Sequence, residues 1–193
     1  FKQKTAYEIY QCDWSSDVCS SDLAGTLELR PALLDLRPLV AEVVEALAPQ
    51  WRAKGLTVTV AVDDGLDALM LDPTRLRQML WHLLSNAVKF TPRGGTIRVG
   101  AASDDTGVRL WVSDTGIGIA AADIPKLMQP FTQLDNSYRR KHRGTGLGLV
   151  LVRQLAEMHG GNVTIDSVPG QGTTVSVLLP VTRVVTVPDR AVG

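Results

Sequence analysis

Cysteine is nearly missing from this chain. The two it has, Cys12 and Cys19, fall in the first 23 residues, and none follows. A disulfide framework is therefore not what holds the fold. With no histidine near them, the two cysteines also fall short of a zinc site. Long apolar runs are missing too. None approaches the ~18 residues that a membrane span needs. Net charge is absent, since 20 Lys and Arg offset 20 Asp and Glu. Nothing global then calls for a nucleic-acid or membrane partner. No internal repeat is found. What is present is a 193-residue chain, 45% hydrophobic and 21% charged. That is enough for one soluble domain with a full core, or a soluble piece of a longer protein.

Residues 1–23 stand apart. They have no helical or alternating period and no signal-peptide pattern, and they read as a non-native or disordered head. From residue 24 to 182 the pattern is regular, and residues 183–193 read as a flexible tail. Thr26–Arg30 alternates like a short strand. Leu36–Lys54 reads as one helix with Leu39, Val43, Ala46 and Leu47 on its apolar face, stopped by Gly55. Leu56–Val62 and Ala68–Leu71 read as strands. Asp72 and Pro73 are a good N-cap and first helical residue for a helix to about Phe90. Strands follow at Thr96–Ala102 and Val108–Ser113, then a short helix over Ala120–Met128. A further helix ends near His159, and strands Asn162–Ser167 and Thr173–Leu179 close the domain. Hairpins outnumber βαβ units. The expected fold is an α/β (α+β) two-layer sandwich, with one mixed, mostly antiparallel sheet and three main helices on one face.

Two glycine turns bracket a basic segment, which is the layout of a nucleotide pocket with a lid. The first is Asp114-Thr115-Gly116-Ile117-Gly118-Ile119. Its glycines permit close backbone approach to a flat ligand. The Asp114 carboxylate could accept a hydrogen bond from an adenine amino group, whereas guanine would set two acceptors face to face. A plain turn between elements explains the same residues. The second turn, Gly144-Thr145-Gly146-Leu147-Gly148, opens an apolar helix whose free N–H groups could cradle phosphates. No strand precedes it and no Lys-Ser or Lys-Thr follows, so it is neither a Rossmann turn nor a P-loop. The Arg139–Arg143 run before it could reach a γ-phosphate or could be a solvated loop.

On the Pro73–Phe90 helix, Leu76, Met79, Leu80, Leu83, Leu84 and Ala87 share a core face. His82, Asn86 and Lys89 form a polar stripe beside it, extended by Gln78. A solvated surface is the plainer reading of His82 or Lys89 alone. Asn86 is a mediocre helix former in mid-helix and needs a reason. Its amide oxygen suits magnesium, which prefers oxygen ligands.

Five stretches, HLLSNAVKFTPRGG, DTGIGI, QPFTQLD, RGTGLGL and GQGTTVSVLLP, resemble the asparagine, first glycine, phenylalanine, second glycine and third glycine boxes of sensor histidine kinases. They occur in that family's order and spacing over about residues 26–180. The resemblance implies the ATP-binding fold shared with gyrase, heat-shock chaperone and mismatch-repair ATPases, with ATP and Mg2+ as ligands. It implies that Asn86 binds magnesium, Lys89 a phosphate, and Asp114 the adenine, with Gly116 and Gly118 shaping the adenine pocket. Phe131 would anchor the lid. Gly144, Gly146 and Gly148 would present backbone to the phosphates, with Arg143, Thr145 and Leu147 beside them. Thr173 would lie next to the adenine.

The chain departs from the family at His82, where most such kinases carry Asn or Glu and chemotaxis-type kinases carry His. With Asn86 and Lys89 it is a catalytic candidate. Neither His82, His142 nor His159 sits in a phospho-acceptor box. The expected function is transfer of the ATP γ-phosphoryl to a histidine on an absent dimerisation domain, then to a response regulator. The whole protein would be a homodimer with this domain in the cytoplasm, and other segments could anchor it in the inner membrane. A serine-phosphorylating switch kinase of the anti-sigma type, or a non-catalytic nucleotide-binding regulator, are the alternatives. The lid, Gln129–Arg143, is expected to be poorly ordered without nucleotide.

Overall fold

The computed structural model describes residues 28–64, 66, 68–104, 107–129, 146–180 and 184–185. In chain order the elements are β1 (Ala32–Leu34), α1 (Leu36–Ala46), α2 (Ala48–Ala53), β2 (Thr57–Val62), β3 (Ala68–Leu71), α3 (Pro73–Phe90), β4 (Thr96–Asp104) and β5 (Gly107–Asp114). A 3₁₀ turn, Ala121–Asp123, then leads into the short α4 (Ile124–Leu127). The last elements are α5 (Gly148–Met158), β6 (Asn162–Val168), β7 (Gly172–Pro180) and β8 (Val184–Val185). Among the described residues, no helix is long and apolar enough to cross a membrane.

The main sheet has the order β2-β4-β5-β7-β6. β2 runs parallel to β4, and the other pairs are antiparallel. Helices α1, α3 and α5 cover one face, as a two-layer sandwich requires. Along β5, buried Val108, Leu110 and Val112 alternate with Arg109, Trp111 and Ser113. This period of two sends one row of side chains to the helices. All six core residues expected on α3 are buried. Full burial of a Leu or Met side chain contributes roughly 1.5–3 kcal/mol, far more than helix propensity adds per residue.

Four features differ from the sequence reading. The strand expected at Thr26–Arg30 is absent over residues 28–30, and β1 starts at Ala32. Arg30 gives its N–H to the Asp72 carboxylate at 2.9 Å, and Pro31 has no N–H to give. The helix expected over Leu36–Lys54 is broken at Leu47 into α1 and α2. Pro49, in the first turn of α2, cannot donate back to Glu45, so the ladder restarts there. A second sheet, β1-β3-β8, stands beside the expected one. Its β8 lies within the stretch read as a tail and pairs with Ala68 and Leu69. Gln78, assigned to the polar stripe, is buried and accepts from Arg75 at 3.2 Å.

The two ends of α3 are closed by side chains. At the N-terminus, Asp72 Oδ1 accepts from the N–H groups of Thr74 and Arg75 at 2.9 and 3.1 Å. The Asp72 N–H donates to His159 Nε2 at 3.3 Å, while His159 Nδ1 lies 2.7 Å from Leu155 O. That pair fixes the tautomer: Nδ1 carries the proton. It also ties the start of α3 to the end of α5. Burial works to raise the Asp72 pKa, but the N–H groups of Arg30, Arg75 and Thr74, with the Arg75 charge, outweigh it and leave the pKa lowered.

Asp72→Ala should lower the unfolding free energy by about 2 kcal/mol, read from the urea midpoint. Because the folded-state pKa is the lower one, the stabilisation is complete above the unfolded value near 3.8. It fades as pH falls through the folded value. The Asp72→Ala chain should lack that part of the acid slope.

Candidate nucleotide site

Asp114 ends the buried row of β5, one step of the pleat beyond Val112. Its Cα is paired with Ile97 on one side and Thr173 on the other. The carboxylate thus sits at the rim of an apolar layer. Burial pushes its pKa up to about 6, against the N–H groups of Gly116 and Thr173, which favour the charged form. The Gly116 N–H donates to Oδ1 at 2.7 Å.

The turn after Asp114 leaves no room for side chains. A Cβ on Gly116 would stand 2.5 Å from Asp114 Oδ1 and 2.7 Å from Phe90 O. Gly118 has φ +66, and a Cβ there would meet Val168 O at 2.0 Å. The turn is also tied down on both sides. The Ile117 N–H donates to Phe90 O at 3.3 Å, and the Gly170 N–H donates to Ile117 O at 2.8 Å. Ser167 accepts from the Ile119 N–H and donates to Gly172 O at 2.8 and 2.9 Å. Its oxygen is 2.8 Å from Thr173 Oγ1.

The N-terminus of α5, at Gly148, meets α3 one helical turn away from the first glycine turn. A Cβ on Gly148 would lie 3.4 Å from His82 Nδ1 and 3.8 Å from Asn86 Nδ2. The N-terminus of α5 is therefore seated against His82 and Asn86, while Phe90 holds the first glycine turn. Residues 86 and 90 are about 6 Å apart along a helix axis. Gly146 has φ +73, and Leu147 is the N-cap of α5 with no side-chain cap. Leu147, with no polar atom in its side chain, leaves the first N–H groups of α5 without a cap from that residue.

Within the stripe, Asn86 and Lys89 are half-buried. The Lys89 ammonium lies 5.1 Å from the Phe90 ring centroid. Burial pushes the His82 imidazole down to about 4, so it is neutral at pH 7. His82 Nε2 is buried with no hydrogen-bond partner among the described residues. Phe131, Arg143, Gly144 and Thr145, and the lid residues 130–143, lie outside the described residues. Gln129, at the lid's start, is exposed.

Two residues to which the sequence reading gave no individual role belong to this arrangement. Ser167 supports the first glycine turn, and nothing local marks it. Gly172 has φ +119, and a Cβ there would lie 1.9 Å from Asp114 O. Its signal is the Gly-x-Gly spacing with Gly170. Magnesium fits the donor set in a limited way. Among the described residues, no three His, Cys, Asp or Glu side chains form a metal cluster. One amide oxygen suits an ion that keeps waters and takes substrate phosphates as further ligands.

A carboxylate at the end of a central strand, with a glycine turn and the glycine-led N-terminus of α5 seated on one helix of a two-layer sandwich, defines a nucleotide-binding ATPase-type domain. Residues 71–183 match the family described as histidine kinase-, DNA gyrase B-, and HSP90-like ATPase. The chain belongs to that family. It is 43% identical over 157 residues to an uncharacterized sensor-like histidine kinase of Rhizobium meliloti (strain 1021), covering 81% of this chain and 30% of that one. The structure of full-length ShkA in complex with AMPPNP aligns with a TM-score of 0.77 at 34% identity, over 89% of this chain and 35% of that one. The nucleotide-free catalytic domain of the histidine kinase ThkA aligns with a TM-score of 0.69 at 25% identity, over 79% of this chain and 98% of that one. The chain spans 30% or less of the length of the curated relatives it matches.

In ligand-free protein the Asp114 carboxyl should titrate near 6, followed by carbon NMR of the side chain. Its folded pKa is above the unfolded one, so ionisation costs more in the folded state. Stability should fall as pH rises from about 4 through about 6 and then level. Asp114→Asn, which cannot ionise, should lack this decline.

Proposed function

We propose that this chain is the ATP-binding catalytic part of a sensor histidine kinase. The observation that carries the reading is the seating on α3 of the first glycine turn, at Phe90, and of Gly148, at His82 and Asn86. In that reading the Asp114 carboxylate accepts from the adenine amino group. Gly116 and Gly118 let the base lie against backbone, and Thr173 stands beside it. Lys89 pairs with a phosphate, and the N-terminus of α5, from Gly146 to Gly148, offers N–H groups to the others. Arg143, Gly144 and Thr145 continue that phosphate side, and Phe131 anchors the lid. Asn86 gives its amide oxygen to magnesium. When bound, the ion neutralises charge on the phosphates and orients them.

In the intact protein, an imidazole nitrogen of a histidine on a separate dimerisation domain attacks the γ-phosphorus. The bond to the bridging oxygen breaks and ADP leaves. The phosphoryl then passes to an aspartate of a response regulator. The work of this chain is positioning and charge stabilisation, which is most of what phosphoryl transfer asks of a protein. His82, neutral and half-buried beside Gly148, stands on the phosphate side in this reading. In this reading none of the three histidines of this chain is the nucleophile, and the acceptor histidine and the homodimer contact would be supplied by other segments of the whole protein.

Asn86→Ala should weaken magnesium-ATP binding about tenfold to a hundredfold, measured by calorimetry, with far-UV circular dichroism unchanged. Unchanged affinity would remove Asn86 from the site. Incubation of the purified chain with γ-labelled ATP should leave no label on it, while an added dimerisation hairpin carrying an acceptor histidine should become labelled. Label on the chain itself would overturn the division of labour.

A further inference from the structure

Lys54 closes α2, far in sequence from either glycine turn. Its side chain runs to the end of α3. There the ammonium donates to Val88 O at 2.7 Å, Lys89 O at 3.0 Å and Thr91 O at 3.0 Å. An ammonium has three N–H groups, and all three are matched by carbonyls. These carbonyls belong to the last turn of α3, whose ends lack intrahelical donors and carry the negative end of the helix dipole. Thr91 adds a cap of its own, its hydroxyl donating to Ala87 O at 2.6 Å.

The same turn of α3 is where the site is assembled. Phe90 O, between two of the carbonyls that Lys54 holds, accepts from the Ile117 N–H of the first glycine turn at 3.3 Å. Gly116 packs so closely on that carbonyl that even a methyl group would not fit. Lys89, whose carbonyl Lys54 binds, is also the residue assigned to a phosphate. The α2 end is laced to the loop after α3 as well. The Gly94 N–H donates to Lys54 O at 3.2 Å, and Arg93 Nη2 donates to Ala53 O at 3.2 Å.

We propose that Lys54 is a positioning residue for nucleotide binding: by gathering the last carbonyls of α3 it sets the Lys89 and Phe90 backbone against the first glycine turn. Lys54 acts through these residues and is not itself a ligand of the nucleotide. It also makes α2, which follows the incoming chain, a mechanical neighbour of the adenine side of the site. Burial lowers the Lys54 pKa, with the Arg93 charge adding to that. The cation is kept there against a desolvation cost, which three carbonyl partners offset. A solvated lysine on this surface would have no such arrangement.

The inference rests on the nucleotide reading above, and the test separates the two. Magnesium-ATP affinity of the full 193-residue chain is measured for the unaltered protein, Lys54→Met, Lys54→Arg and Val163→Ala, each well below its own melting temperature. Val163 packs on the core from β6 and serves as a destabilised control. Lys54→Met should bind about tenfold more weakly. Lys54→Arg, which restores the charge at the helix end, should recover part of that loss. Val163→Ala should bind like the unaltered protein. Amide NMR signals of Lys89, Phe90 and Ile117 should shift in Lys54→Met without ligand and stay in place in Val163→Ala. Should Lys54→Met not fold, Lys54→Gln replaces it under the same criteria. Unaltered affinity in Lys54→Met, an equal loss in Val163→Ala, or no recovery in Lys54→Arg would each overturn the assignment. If the unaltered chain does not bind magnesium-ATP, the nucleotide reading itself fails.

Discussion

A carboxylate at the edge of a hydrophobic layer is the constraint on which the rest of this structure depends. Asp114 continues a row whose other members are Val108, Leu110 and Val112. A charge in that place is costly unless donors reach it. The chain supplies them from its own backbone, the Gly116 N–H at 2.7 Å and the Thr173 N–H. The Gly116 contact draws the following turn back over the carboxylate, and the turn can pass only because Gly116 and Gly118 have no side chains. Gly172 completes the close approach from β7. The raised pKa and the glycines have one origin, a polar group placed where the sheet meets the site.

Helix α3 is the second fixed part. Its apolar face is clamped by the sheet, and both its ends are closed by side chains from elsewhere in sequence or from its own flanks. Asp72 ties the start to Arg30 and, through its N–H, to His159 at the end of α5. Lys54 ties the end to α2. A helix held at both ends and along one face is a stiff support. The polar stripe of His82, Asn86 and Lys89 inherits that stiffness, which binding geometry needs.

Legibility in the sequence followed the range of the physics. Asp72-Pro73 is a local start signal, and the structure begins α3 there. The six-residue core face of α3 is a matter of helical period, and all six side chains are buried. The alternation over β5 likewise gave the strand and its neighbour Asp114. By contrast, the break at Leu47 depends on Pro49 acting backwards along a helix whose apolar period continues past it. Gln78 has a polar side chain at a position that tertiary packing covers, and only Arg75 in place shows how it is satisfied. In the small sheet β1-β3-β8, β3 was legible as a strand, but β1 and β8, of three and two residues, are too short to carry a period.

Composition, period and glycine spacing alone determined the two-layer sandwich, the boundaries of α3, and the family whose boxes this chain carries. Those properties are local, because each is decided by residues within a turn or a few pleats of one another. Tertiary structure alone decided that Phe90 O meets Ile117, that Gly148 rests on His82 and Asn86, that Ser167 braces the first glycine turn, and that Lys54 reaches the end of α3. Those contacts join residues tens of positions apart. They exist only once burial of the common core has brought the helices and the sheet to a fixed distance.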